Sequence, residues 1–332
     1  MRPLVLVALF IGCIPLAQGY SADFWYDQGM NYYNSGNYQM AIQNFQFATN
    51  QDPNLEDAWY YMGICQYNLE DYADAAVSIY KALSIDTDDQ YNWYWEGRAL
   101  RKLEDHDMAI QYFNGALSFD PGMEDAWYYR GWSYYDLGDY PQAEADFLQS
   151  INQDNRDAWN WYSCGRALNA QGRYSDAIYY FYMAIDLDSS IENAWYYKGI
   201  AYRECGMYTD ALQCFEQSIR IDPNDGWNYY SKGVVLQLLN REFEAEAAFR
   251  RAKELGVDPD IVGLNADNQV ASNTPPPAGG TTPSLNLRLP ELPATPPDAS
   301  GEDTSGEESR RHYITGSTTG KSSQETPRLQ II

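Results

Sequence analysis

Histidine is nearly missing from this chain: two in 332 residues, His106 and His312, with no shared motif. That leaves little material for general-base chemistry near neutral pH. No Gly-rich phosphate loop, no G-x-S-x-G and no H-E-x-x-H occurs, so the familiar hydrolase and nucleotide sites are excluded. Basic residues are scarce as well, 22 against 47 acidic ones, for a formal charge of −25. A nucleic-acid partner needs a basic face, and an anionic membrane repels such a shell. Beyond the N-terminus no stretch reaches the ~18 apolar residues of a membrane span. The five cysteines show no C-x-x-C spacing, which disfavours a zinc site. No catalytic residue, metal or cofactor is expected.

What the chain has is a period. Gly29, Gly63, Gly97, Gly131, Gly165, Gly199 and Gly233 recur every 34 residues without slippage, and Ala41, Ala75, Ala109, Ala143, Ala177, Ala211 and Ala245 keep the same step. A fixed period in this range is the mark of a solenoid, in which stacked units share one extended core. Residues 22–55, 56–89, 90–123, 124–157, 158–191, 192–225 and 226–259 are the seven copies. In the copy at 192–225, Trp195, Gly199 and Tyr202 lie on one helical face. Gly206 then stops the helix, as Gly36, Gly138, Gly172 and Asn240 do elsewhere. Ala211, Phe215 and Ser218 form the stripe of a second helix, closed by Asp222-Pro223. A glycine inside a helix costs about 1 kcal/mol relative to alanine. Seven of them imply a close approach of two helices, with Ala211 and its equivalents expected as the small surface opposite.

W-x-x-x-G-x-x-Y, then A-x-x-x-F, then P, at this period, resembles the tetratricopeptide repeat. Thr87, Asn155, Ser189 and Val257 depart from the proline, Ile79 from the phenylalanine and Tyr229 from the tryptophan. The expected fold is all-α: a right-handed α-solenoid of seven helix-turn-helix repeats with a disordered tail. Charges on the last copy's second helix, Glu244, Glu246, Arg250, Arg251, Lys253 and Glu254, suit a terminal repeat. The resemblance implies that the first helices line a concave groove through repeat positions 2, 5, 9, 12 and 13. Tyr26, Tyr60, Tyr94, Tyr128, Tyr162, Tyr196 and Tyr230 fill position 5. The candidate groove is Tyr94, Arg98, Arg101, Lys102, Tyr128, Trp132, Tyr162, Arg166, Asn169, Tyr196 and Arg203, with Trp159 and Trp227 at position 2. Cations gathered on one face of an acidic shell favour an acidic or carboxylate-bearing ligand. Pairing of each arginine with a neighbour such as Glu96 or Glu204 is the alternative. The chaperone-tail clamp of this family needs lysine at position 5 and asparagine at position 9, where the first copy has Tyr26 and Met30.

Asp52, Asp86, Asp120, Asp154, Asp188 and Asp222 share one slot and are expected to shape the turn between repeats and cap nearby helix N-termini. His106 stands where other copies have Tyr72, Tyr140 or Tyr174, so a packed or surface role is expected. Cys65, Cys164, Cys205 and Cys214 read as small buried hydrophobes, with a Cys205–Cys214 disulfide as the alternative. Arg2, the apolar run from Leu4 to Ile14 and Ala17-Gln18-Gly19 read as a signal peptide over residues 1–19, cleaved near Gly19. Gly12-Cys13 alternatively offers a lipidated cysteine. From residue 264 to 332 a Pro/Thr/Ser/Gly-rich tail cannot offset its ordering entropy. The whole reads as an exported prokaryotic scaffold, extracellular, periplasmic or at the cell surface, that binds an extended peptide or partner protein. The alternatives are a carbohydrate binder or a structural component of the cell envelope.

Overall fold

Each 34-residue copy becomes a helix pair. The computed structural model describes residues 19–259; residues 1–18 of the expected signal peptide, with the alternative lipidation site Cys13, and His312 and the tail lie outside them. Among the described residues there are fourteen helices and no strand. The first helices of the repeats are α1 (Ala22–Asn34), α3 (Glu56–Asn68), α5 (Gln90–Lys102), α7 (Glu124–Asp136), α9 (Ala158–Ala170), α11 (Glu192–Glu204) and α13 (Gly226–Leu238). The second helices are α2 (Tyr38–Gln51), α4 (Tyr72–Ile85), α6 (His106–Phe119), α8 (Tyr140–Gln153), α10 (Tyr174–Leu187), α12 (Tyr208–Ile221) and α14 (Glu242–Glu254). None is long and apolar enough to cross a membrane.

The fixed glycine is explained by a ring. A Cβ placed on Gly165 would sit 2.8 Å from Cδ1 and Cε1 of Phe181, and Gly97, Gly131 and Gly199 meet Phe113, Phe147 and Phe215 in the same way. Phenylalanine, rather than the expected alanine, is therefore the surface opposite the glycine. Ala177 and its equivalents, at most 1 % exposed, fill the seam one turn earlier on the second helix.

The tryptophan closes the joint between copies. The indole N–H of Trp59, Trp93, Trp127, Trp161 and Trp195 donates to the carbonyl six residues back, on Pro53, Thr87, Pro121, Asn155 and Ser189, at 2.7–3.0 Å. The acceptor is a backbone oxygen, so Thr87, Asn155 and Ser189 serve as well as proline. The shared aspartates sit just before this joint. Asp52, Asp86, Asp120, Asp154, Asp188 and Asp222 each accept from the N–H two residues on. They shape the turn, as expected, but stand at the C-terminal ends of the second helices rather than capping helix N-termini. Asp89, Asp157 and Asp225 cap α5, α9 and α13 instead.

The turn inside each repeat needs one left-handed residue. Gly36, Gly138, Gly172 and Gly206 supply it, as does Asn240 at φ 58°. In the second and third copies Glu70 and Glu104 are forced into the same conformation, at φ 66° and 63°, which costs a non-glycine residue roughly 1–2 kcal/mol. Glu104→Gly is expected to stabilise the array by about 1 kcal/mol, read as a raised urea midpoint. An unchanged or lowered midpoint would show that the turn carries no strain.

Successive first helices touch one another along the whole array, whereas no two successive second helices make a comparable contact. The first helices therefore form the inner face and the second helices the outer.

Candidate ligand-binding face

Tyrosine at position 5 faces inward, but its ring is largely consumed by packing. Tyr94, Tyr128 and Tyr162 are buried, each against the phenylalanine that covers its own repeat's glycine. Burial pushes the phenols of Tyr94 and Tyr162 well above their usual range. They stay protonated and act through their hydroxyls. Tyr196 keeps its hydroxyl within 3.4 Å of Ser231 Oγ.

Those hydroxyls hold the arginines. Arg98 donates from Nη1 to Tyr94 Oη (2.9 Å) and from Nη2 to Tyr67 Oη (3.1 Å). Arg166 repeats the arrangement, with Nη1 to Tyr162 Oη (2.9 Å) and Nη2 to Tyr135 Oη (3.0 Å). Rings stack over each guanidinium. Tyr129 lies 4.1 Å and Trp95 4.9 Å from Arg98, while Tyr197 lies 4.0 Å and Trp132 5.8 Å from Arg166. Cation–π attraction of this kind is worth more as water is excluded, about 2 kcal/mol or above. Each cage spans three repeats: a tyrosine from the copy before, one from its own copy and one from the copy after.

Neither caged arginine is ion-paired among the described residues, and both remain half-buried on the inner face. The other candidate cations differ. Arg101 donates to Asp136 at 2.8 Å. Arg203 is paired with its own neighbour Glu204 at 2.6 Å. The slot decides: position 9 places an arginine among tyrosines, and position 12 places it beside a carboxylate at position 13. Arg203 thus takes the alternative expected of it, pairing with Glu204, and Arg101 is paired as well. Glu96, by contrast, does not pair with Arg98, because it is fully buried elsewhere on α5. Lys102 lies 5.8 Å from the Tyr72 ring, and burial lowers its ammonium. Asn169 is buried and presents little to a ligand.

The cage walls Tyr67, Trp95, Tyr129, Tyr135 and Tyr197 were not among the expected groove residues. For Tyr129 and Tyr197 a second period carried the signal. Tyr60-Tyr61, Tyr128-Tyr129 and Tyr196-Tyr197 recur every other copy, and Arg98 and Arg166 sit in the copies between.

The remaining reactive groups lie apart. His106 is half-buried with Nδ1 3.9 Å from Asp136 Oδ2, and burial, ahead of the neighbouring charges, lowers its imidazole. Cys65, Cys164 and Cys214 are buried thiols, as expected, and burial pushes Cys65 up to about 12. Cys205 departs from that expectation: it ends α11 exposed, beside Ser175, and is not joined to Cys214. Among the described residues no three His, Cys, Asp or Glu side chains group as a metal site would require.

Comparison with known proteins agrees with the repeat fold. Tetratricopeptide repeat family models match residues 26–91 and 128–190, 91–122, and 192–225. A search of curated proteins returned no match. Among solved structures, part of a TPR repeat-containing protein from Cytophaga hutchinsonii is 21% identical with a TM-score of 0.59, over 72% of this chain and 99% of that one. A tetratricopeptide repeat protein from Parabacteroides merdae is 17% identical with a TM-score of 0.56, over 73% and 96%. YrrB, described as a TPR protein with an unusual peptide-binding site, is 21% identical with a TM-score of 0.50, over 58% and 99%. At such identities the likeness is one of fold.

Proposed function

Because the chain belongs to the tetratricopeptide repeat family, we propose that it is a non-enzymatic scaffold holding an extended peptide or partner protein along the inner face of its first helices. One observation carries this reading. In a chain of net charge −25, two inner-face guanidiniums, Arg98 and Arg166, are fixed by tyrosine hydroxyls and left without a carboxylate. A cation held in a partly dry cage attracts an anion more strongly than one in open water. Its position is also set before binding, which lowers the ordering cost.

A sugar would need open ring faces for stacking. The tyrosine ladder buries its rings at 94, 128 and 162, which favours the peptide. The scaffold is further read as an exported protein on the strength of its N-terminal segment. Amino-terminal sequencing of protein recovered from its native source would find residue 20 or Cys13 first, and a chain still beginning at Met1 would refute export by cleavage.

The binding face is tested with an array of decapeptides of varied charge. Acidic peptides are expected to dominate. Arg98→Ala with Arg166→Ala should weaken them by roughly tenfold or more, the worth of one charge-assisted hydrogen bond. Arg203→Ala, already paired with Glu204, should change little. If the double variant captured the same peptides as the parent, the inner-face assignment would be wrong.

A further inference from the structure

The two caged arginines are copies of one device. Each takes a tyrosine hydroxyl from its own helix four residues back and another 31 residues back, and each lies under a tyrosine ring 31 residues ahead. They stand two repeats apart on the same face, in equivalent slots of α5 and α9. The copy between them has Trp132 at that slot, and Trp132 forms part of the Arg166 cage. The inner face thus presents two fixed positive charges with an aromatic between them.

Their donors are not exhausted. A guanidinium carries five N–H groups, and two of them go to tyrosines here. Each tyrosine oxygen that accepts from the arginine keeps its own proton to donate. Arg98 also has an Nε that is buried and without a partner. An anion reaching either cage meets a guanidinium edge together with phenol hydroxyls, a donor set that suits a carboxylate.

The spacing fixes more than the charge. Adjacent packed helices lie 8–10 Å apart as a rule, so arginines two repeats apart are separated by roughly 16–20 Å. An extended chain advances about 3.3 Å per residue, which equates that gap to about five or six residues.

We propose that Arg98 and Arg166 act as a two-point reader of a single extended peptide, taking two Asp or Glu side chains about five or six residues apart. This rests on the inner face being the binding surface. Trp132, half-buried between the two anchors, would lie under the apolar or small residues that separate the acidic pair.

The test is fluorescence anisotropy with labelled 12-residue peptides that are Ser/Ala throughout except for two glutamates separated by two to nine residues, beside single-glutamate controls. Affinity is expected to peak at a separation of five or six, about tenfold or more above the single-glutamate peptides. Arg98→Met and Arg166→Met keep the apolar stem and remove the charge. Each should erase the peak and leave single-glutamate affinity. Far-ultraviolet circular dichroism checks that the variants fold, and should either fail, Arg98→Gln and Arg166→Gln, which also remove the charge but keep a hydrogen-bonding end for the tyrosines, provide the same comparison. Affinity that does not vary with spacing but falls in the arginine variants would overturn the two-point reader and leave the binding face standing. No binding of any acidic peptide would overturn both.

Discussion

Phe181→Ala is expected to destabilise the array by about 3–5 kcal/mol, the range for emptying a buried phenylalanine site. The ring is fully buried, fills the space over Gly165 and lies against Tyr162 and Tyr197. Gly165→Ala approaches the same joint from the other side. Helix propensity would favour it by about 1 kcal/mol. The new Cβ, 2.8 Å from the ring, would push α9 and α10 apart at a cost of about 1–3 kcal/mol. The two sites are one contact, so they should not add. Gly165→Leu combined with Phe181→Ala places a side chain in the vacated volume and should cost less than the sum of the single changes by about 1–3 kcal/mol. Urea unfolding of the four proteins measures this. Strict additivity would mean that glycine and ring do not share a space. Tyr162 and Tyr197 also wall the Arg166 cage, so Phe181→Ala should weaken acidic-peptide binding even where the fold survives.

Glu96→Met should make the protein more stable, by about 1–3 kcal/mol at pH 8. Glu96 is 0% exposed on α5, and neither carboxyl oxygen has a hydrogen-bond partner. The buried hydroxyl of Tyr112, whose phenol is raised by burial first and by nearby Glu96 second, also lacks one. Burial raises the Glu96 carboxyl well above its ordinary 4.5. The folded state then holds this proton more tightly than the unfolded chain does. Stability is therefore greatest at or below the unfolded value and falls as pH rises toward the folded one. Methionine has a similar size and no charge to desolvate. The gain should thus be largest at pH 8 and shrink toward pH 4. Glu96→Gln separates the two causes: it removes the pH dependence while keeping buried polar atoms. Parallel pH profiles for parent and Glu96→Met would show that the carboxyl is not in a dry site.

The period was readable because a solenoid writes its contacts at constant offsets. Trp195, Gly199, Ala211 and Phe215 act within one unit, or across one short joint, so seven repetitions reveal them. Their partners were less clear. A small residue on each of two helices suggests contact between the small residues, yet the glycine is met by Phe215, because the ring one turn further along the second helix reaches into the space that the glycine leaves. The site was legible in part. Arg98 and Arg166 stood out as cations on an acidic chain. Arg203 is set apart by the Glu204 beside it in the sequence, whereas the partner of Arg101, Asp136, belongs to the next copy and follows from the register between successive first helices. Tyr67 and Tyr129 lie 31 residues to either side of Arg98, which no 34-residue period marks.

The cages have a mechanical consequence. Tyr67, Arg98 and Tyr129 tie the second, third and fourth copies together, and Tyr135, Arg166 and Tyr197 tie the fourth, fifth and sixth. The fourth copy belongs to both ties. An ordinary solenoid flexes like an evenly wound spring, every joint as compliant as the next. This one is clamped along its middle five turns, with the first and last left as softer ends. Slow amide exchange should be centred on α7.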